Sequence, residues 1–160
     1  MEPNPPEFKL SPMMQPYIKL HGSVNWVESN VGERILIMGG QKTAIIKKFP
    51  LLNWYHEEFR KALALPGARL MVMGYSFSDE HINDAILAAV KTSDLKIFIV
   101  DPGGVGIIDK RDKSAAIPIP KEEFQELLEK RIIGISTRPI SSTFNDDIVE
   151  NNRLQKFFQS

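Results

Sequence analysis

Three short stretches of this chain hold residues that can do chemistry: "LHGS" around His21, "GYSFSDEHIN" from Gly74 to Asn83, and "IVDPGG" around Asp101. A histidine titrates near neutral pH, so His21 can act as a general base if it reaches into a cleft; its other reading is a structural ring bonded to a nearby carbonyl. In the second stretch Gly74 lets backbone come close to a ligand, and the amides at a helix start favour an anion. Asp79 and Glu80 occupy that same first turn and repel a phosphate by direct contact of like charges. The hydroxyl groups of a ribose suit the turn better, because they donate to carboxylates and accept from Ser76 or Ser78. The plainer alternative is that Ser78 or Asp79 caps the helix. Asp101 ends the following strand, where an acid receives ribose hydroxyls in a dinucleotide fold. Against that, "DPGG" is turn chemistry in its own right. Asn25, in the strand-like "SVNWV", reads as a structural hydrogen-bonding group.

Hydrophobic periodicity supplies the elements that must position these residues. "RLMVMGY" is an almost wholly apolar strand, "SDEHINDAILAAVK" a helix with Ile82, Ile86, Ala89 and Val90 along one side, and "LKIFIVD" a second apolar strand. Strand, helix and strand in so short a span make a βαβ unit, and runs apolar on both faces suit a parallel sheet covered on both sides. Upstream, "YIKLHGSVNWV", "RILIM" and "KTAIIKKF" read as short strands and turns, with His21 at a strand end. "FPLLNWYHEEFRKALALPG" switches to helical spacing at Leu52, Tyr55, Phe59 and Leu63 and is stopped by Pro66-Gly67. Downstream, "GGVGIIDKRDKSAAIPIP" reads as loop, "KEEFQELLEK" as a helix on Phe124, Leu127 and Leu128, and "RIIGIS" as a further strand. "STFNDDIVENNRLQKFFQ" reads as a terminal helix capped by Ser142 or Thr143. Five prolines in residues 1–16 block helix and sheet pairing, so that segment is expected to be an extended lead-in to a single domain over 17–160.

Composition narrows the functions. Lys plus Arg and Asp plus Glu are both 20, so no basic surplus exists to displace counterions from a nucleic acid, and such a partner is not expected. The chain has no cysteine, which removes disulfides, thiolate nucleophiles and sulfur-based zinc sites, and its three histidines are far apart in sequence. No metal is expected. The first residues lack a basic start followed by an apolar stretch, and no apolar run approaches the ~18 residues a membrane span needs, so a cytoplasmic location is expected. "GGQKT" is not a P-loop, because Gln41 stands where glycine is needed before Lys42.

In their order and strand contexts, "LHGS", "GYSFSDEHIN" and "IVDPGG" resemble the sirtuin-like family, in its diverged branch without the zinc ribbon, over residues 17–104, with a continuation expected to the end. The resemblance implies a Rossmann-like α/β fold, a mostly parallel sheet flanked by helices, with NAD as its ligand. It gives His21 the base that acts on the nicotinamide ribose, with Gly22 beside it. It has Gly74 and Ser76 meet ribose and phosphate, and Asp101 or its neighbours read the adenosine side; Asp79, in the same turn, is counted with the cofactor-binding residues.

Two departures qualify what the resemblance implies. Sirtuin deacylases carry two cysteine pairs between the histidine and the Gly-x-Ser turn, and this interval holds none. That points to the NAD-hydrolysing or NAD-binding relatives rather than to a protein deacylase. The family's glycine-rich pyrophosphate loop should lie far upstream of the histidine, whereas only twenty residues precede His21 and none is glycine. The chain is therefore expected to be the C-terminal portion of such a domain, without the usual N-terminal glycine-rich βα unit. It would be either a truncated homologue or part of a longer polypeptide. Two functions follow as expectations: an NAD glycohydrolase-like enzyme, or a non-catalytic nucleotide-binding or interaction module whose half-built sheet pairs with a second copy or with a missing N-terminal segment.

Overall fold

The segment from Ala68 to Val100 folds as its apolar pattern dictates. In the computed structural model, β3 (Arg69–Met73), α3 (Glu80–Thr92) and β4 (Lys96–Val100) form the βαβ unit. The two strands pair in parallel without interruption from Arg69↔Lys96 to Met73↔Val100. On its other side β4 pairs in parallel with β5 (Ile132–Ser136), skipping one residue so that Ile97 faces Ile132 and Phe98 faces Gly134. The sheet order is β3-β4-β5, with the most apolar strand in the centre.

Alternation along β4 explains why it is apolar throughout. Phe98 and Val100 point to one face, where they pack with Met71 and with Leu154 and Phe157 of α6 (Ile148–Gln159). Ile97 and Ile99 point to the other and are just as buried. Two successive right-handed crossovers travelling the same way across a sheet leave their helices on one face. In keeping with this, α3 packs against α5 (Lys121–Glu129). A parallel sheet flanked by helices, the Rossmann-like α/β arrangement, is thus present.

The structure describes residues 13, 15–28, 32–39, 42–104, 106–109 and 121–159. The chain divides into two compact units, one up to Lys61 and one from Ala62 on, the latter holding the parallel sheet. In the first unit β1 (Gly22–Val27) pairs antiparallel with β2 (Arg34–Leu36), and α1 (Lys42–Lys48) leads into α2 (Pro50–Ala64), which belongs to this unit up to Lys61. Among the described residues its core includes Ile35, Ile37, Ile46, Phe49 and Leu52, with Trp26 and Ile45 against them. Pro50 opens α2, where its missing N–H costs nothing.

Several segments differ from their sequence reading. "KTAIIKK" is helical, not a strand. Its β-branched isoleucines mimic a strand, but Ile46, Phe49 and Leu52 bury at three-residue spacing, and Lys47 and Lys48 sit favourably at the helix end. His21 is not at the end of a strand but in the turn that precedes β1. Within the expected loop after Asp101, Gly106–Asp109 forms a short helix, α4. The terminal segment holds a π-helical turn (Ser142–Asp146) before α6, and neither Ser142 nor Thr143 caps that helix. Asp147 does, accepting from the amides of Val149 and Glu150 at 3.1 Å each. The proline-rich lead-in lies outside the described residues except at 13, 15 and 16, none of which is in a helix or strand. The rest of the expected loop, 110–120 with its "KRDK" run, also lies outside them. Among the described residues no helix is long and apolar enough to cross a membrane.

Candidate functional site at the strand ends

The register of β3 and β4 brings two of the sequence-predicted residues to one edge. Met73 and Val100 are partners, so Gly74 and Asp101 are the next residues at the carboxyl ends of adjacent parallel strands. That edge is where open α/β sheets hold ligands. Gly74 has φ +61° and nothing within 4 Å of where a Cβ would stand, so the backbone is bare to an approaching group.

From Gly74 to Asp79 the turn is held from beneath. Phe77 adopts φ +54°, a left-handed conformation costing on the order of 1–2 kcal/mol for a residue with a Cβ. Its ring offsets that cost by being fully buried, 5.0 Å from the Tyr75 ring and edge-on to Phe124 at 6.4 Å. Asn83, fully buried on α3, donates from Nδ2 to the Phe77 carbonyl at 2.8 Å. Its Oδ1 accepts from the Tyr75 hydroxyl at 2.8 Å, and that hydroxyl also lies 3.1 Å from the Asp79 carbonyl. Burial, and then the nearby Asp79 charge, push the Tyr75 phenol well above its usual range, so it stays a donor.

Above this support Ser76 is exposed, and its hydroxyl lies 2.8 Å from that of Ser78. Asp79 takes the N-cap position of α3 with an extended backbone, and its carbonyl accepts from the amides of Ile82 and Asn83. Its side chain makes no capping hydrogen bond. Asp101 closes a turn on itself: Oδ1 accepts from the Gly103 amide at 2.7 Å, and its carbonyl accepts from Gly104. The turn-forming reading of "DPGG" is realised in this geometry.

His21 and Gly22 belong to the first unit. The backbone around His21 is tied at three successive residues: the Leu20 carbonyl lies 2.9 Å from His56 Nε2, the His21 carbonyl accepts from Ile37 N–H at 2.9 Å, and the Gly22 amide donates to Lys19 at 3.0 Å. Gly22 has φ +78°, and a Cβ there would stand 2.1 Å from the Ile35 carbonyl oxygen. The fold itself therefore demands glycine after His21. Asn25 is exposed and takes the Ser23 hydroxyl at 2.6 Å.

Tyr75, Phe77, Asn83 and His56 were not singled out by sequence reasoning as supports. A signal existed for His56, which falls with Leu52, Phe59 and Leu63 at i, i+4, i+7 and i+11 on α2 and so lies on its apolar stripe. Burial, the largest effect, holds the His56 imidazole below its ordinary value. The unfolded chain then takes up a proton below about pH 6.5 that the folded one refuses. Stability is expected to be full above that pH and to fall as the medium is acidified toward the folded value. Urea midpoints between pH 7.5 and 5 check this, and His56→Gln should flatten the dependence.

A family model described as the SIR2-like domain matches residues 2–133. No curated protein and no solved structure matches the chain. With a match of that extent, and with the parallel α/β sheet in its second unit, the chain belongs to the SIR2-like domain family.

Proposed function

We propose that this SIR2-like chain binds NAD, with the carboxyl edge of β3 and β4 engaging a ribose, and that it is related to NAD hydrolases rather than to protein deacylases. One observation carries the reading: adjacent parallel strands run out into Gly74 and Asp101, and the turn that starts at Gly74 carries the hydroxyl pair Ser76 and Ser78. The donor set fits a sugar. Two hydroxyls both donate and accept, an aspartate accepts from ribose hydroxyls, and a bare glycine admits the ring, whereas Asp79 and Glu80 disfavour a phosphate against the start of α3. The interval between His21 and Gly74 holds no cysteine for a zinc ribbon, which supports hydrolysis over deacylation.

In that reaction the bond between nicotinamide nitrogen and ribose C1′ breaks and water supplies the new C1′ oxygen. Nicotinamide and ADP-ribose leave, and a base takes the proton. By the family resemblance His21 is that base, and Gly22 keeps the backbone course beside it. Purified chain is expected to release nicotinamide from NAD, and His21→Ala to lower the rate by at least about a hundredfold, the usual reach of a general base. Release no faster than in His21→Ala overturns the enzymatic reading. Ribose engagement has its own check: Ser76→Ala and Asp101→Asn should each weaken NAD binding by about tenfold in calorimetry, as expected for one lost hydrogen bond to a charged or polar partner.

A second reading, a non-catalytic nucleotide-binding or interaction module that self-associates, is favoured by a different observation. Among the described residues β3 pairs on one side only, and an open strand edge is a template for pairing. It expects a concentration-dependent dimer in light scattering; a clean monomer without NAD affinity removes it.

A further inference from the structure

We infer that His56 is a positioning residue for His21, locking the backbone from which the His21 imidazole projects. The inference rests on the reading of His21 as the base and deepens it by assigning the group that aims it. A carbonyl oxygen only accepts, so the 2.9 Å contact with Leu20 requires the proton on His56 Nε2. Leu20 is the residue immediately before His21, and the next carbonyl, that of His21 itself, is held by the Ile37 amide. The two bonds fix consecutive peptide units, one to α2 and one to the residue after β2, so the turn cannot rotate without losing both. At the exit Gly22 keeps φ +78°, with no room for a Cβ against the Ile35 carbonyl.

Packing alone does not account for this histidine. It sits buried on the apolar stripe of α2, between Leu52 and Phe59. A leucine or phenylalanine would fill such a position without bringing a polar ring out of water, a cost that its hydrogen bond must offset. Burial also keeps the ring neutral near pH 7, and the His21 imidazole lies near enough to be felt electrostatically. A neutral donor placed there orients its neighbour without adding a positive charge beside the base.

The test uses the whole chain and two substitutions: His56→Leu, which keeps bulk and removes the donor, and His56→Gln, which keeps an N–H near the same reach. Expected for His56→Leu is a fall in kcat for nicotinamide release of about tenfold or more with KM for NAD changed less than about twofold, the mark of a misaimed group rather than lost binding. With it go faster hydrogen exchange at the Ile37 amide and a shifted His21 ring signal in NMR. His56→Gln should restore kcat, exchange and ring signal to near wild type. Unchanged Ile37 exchange and His21 ring signals in a folded His56→Leu chain overturn the inference. If the wild-type chain itself releases no nicotinamide, the base reading fails, while exchange and ring signal still decide the clamp. Should His56→Leu not fold, nitrogen-detected NMR of the unaltered protein decides: the Nε2–H tautomer supports the clamp, and the Nδ1–H tautomer overturns it.

Discussion

Gly22→Ala is expected to destabilise the first unit by about 2–4 kcal/mol. The methyl would stand 2.1 Å from the Ile35 carbonyl oxygen, where no flexible side chain can yield, and the backbone sits at φ +78°. Overpacking against fixed backbone costs ~1–3 kcal/mol, and alanine forced to a positive φ adds about 1 kcal/mol. Ile35, whose carbonyl the methyl would meet, is itself one of the buried core residues of this unit. Relief requires β1 and β2 to part, which also removes the Ile37–His21 bond. Urea unfolding followed by tryptophan fluorescence checks this, because Trp26 lies against that core and 5.7 Å from the Tyr55 ring. A midpoint equal to that of the unaltered chain would contradict the close approach. The sequence resemblance counted Gly22 with the ligand residues; the fold supplies a separate reason for glycine there, independent of any ligand.

Asn83→Ala is expected to cost about 3–5 kcal/mol in the second unit. It strands the Phe77 carbonyl, each buried group left unpaired costs ~1–3 kcal/mol, and the missing amide leaves a void beside fully buried Phe77. It also removes the partner that the Tyr75 hydroxyl reaches at 2.8 Å. Without the amide nothing in the pair opposes relaxation of Phe77 from φ +54°, so the turn carrying Ser76 and Ser78 should loosen. The thermal midpoint is expected to fall by more than about ten degrees. Ser76→Ala, at an exposed position, is expected to stay within ~0.5 kcal/mol of the unaltered chain. Asn83→Asp separates the two bonds: it keeps an acceptor for Tyr75 but turns a carboxylate toward the Phe77 carbonyl, and should fall as far as Asn83→Ala. Equal midpoints for all three variants would mean that the turn does not depend on Asn83.

Legibility followed burial on both faces. β3, α3, β4, α5 and β5 could be read because a central parallel strand such as "KIFIV" must be apolar throughout, and a crossover helix must present a stripe at 3.6-residue spacing. "KTAIIKK" could not, since a short segment of isoleucines fits strand and helix alike until Phe49 and Leu52 extend its three-residue period. The cap of α6 was misplaced for a similar reason. Ser142, Thr143 and Asp147 are all good caps by type, and only the π-helical turn ahead of the helix moves its start to Asp147.

By itself the sequence determined that the chain is a SIR2-like α/β protein with a βαβ unit, and which turn, from Gly74 to Asp79, carries hydroxyls and acids. Those features depend on residue type and local period, which are written along the chain. What only the tertiary structure decided is how that turn and the His21 turn are held: Asn83 beneath Phe77, His56 under Leu20, and Ile35 against Gly22. Each joins a side chain or backbone group to a backbone atom that sequence spacing alone does not mark as its partner. Hydrogen bonds to main-chain carbonyls leave little trace in residue type, because every residue offers the same carbonyl.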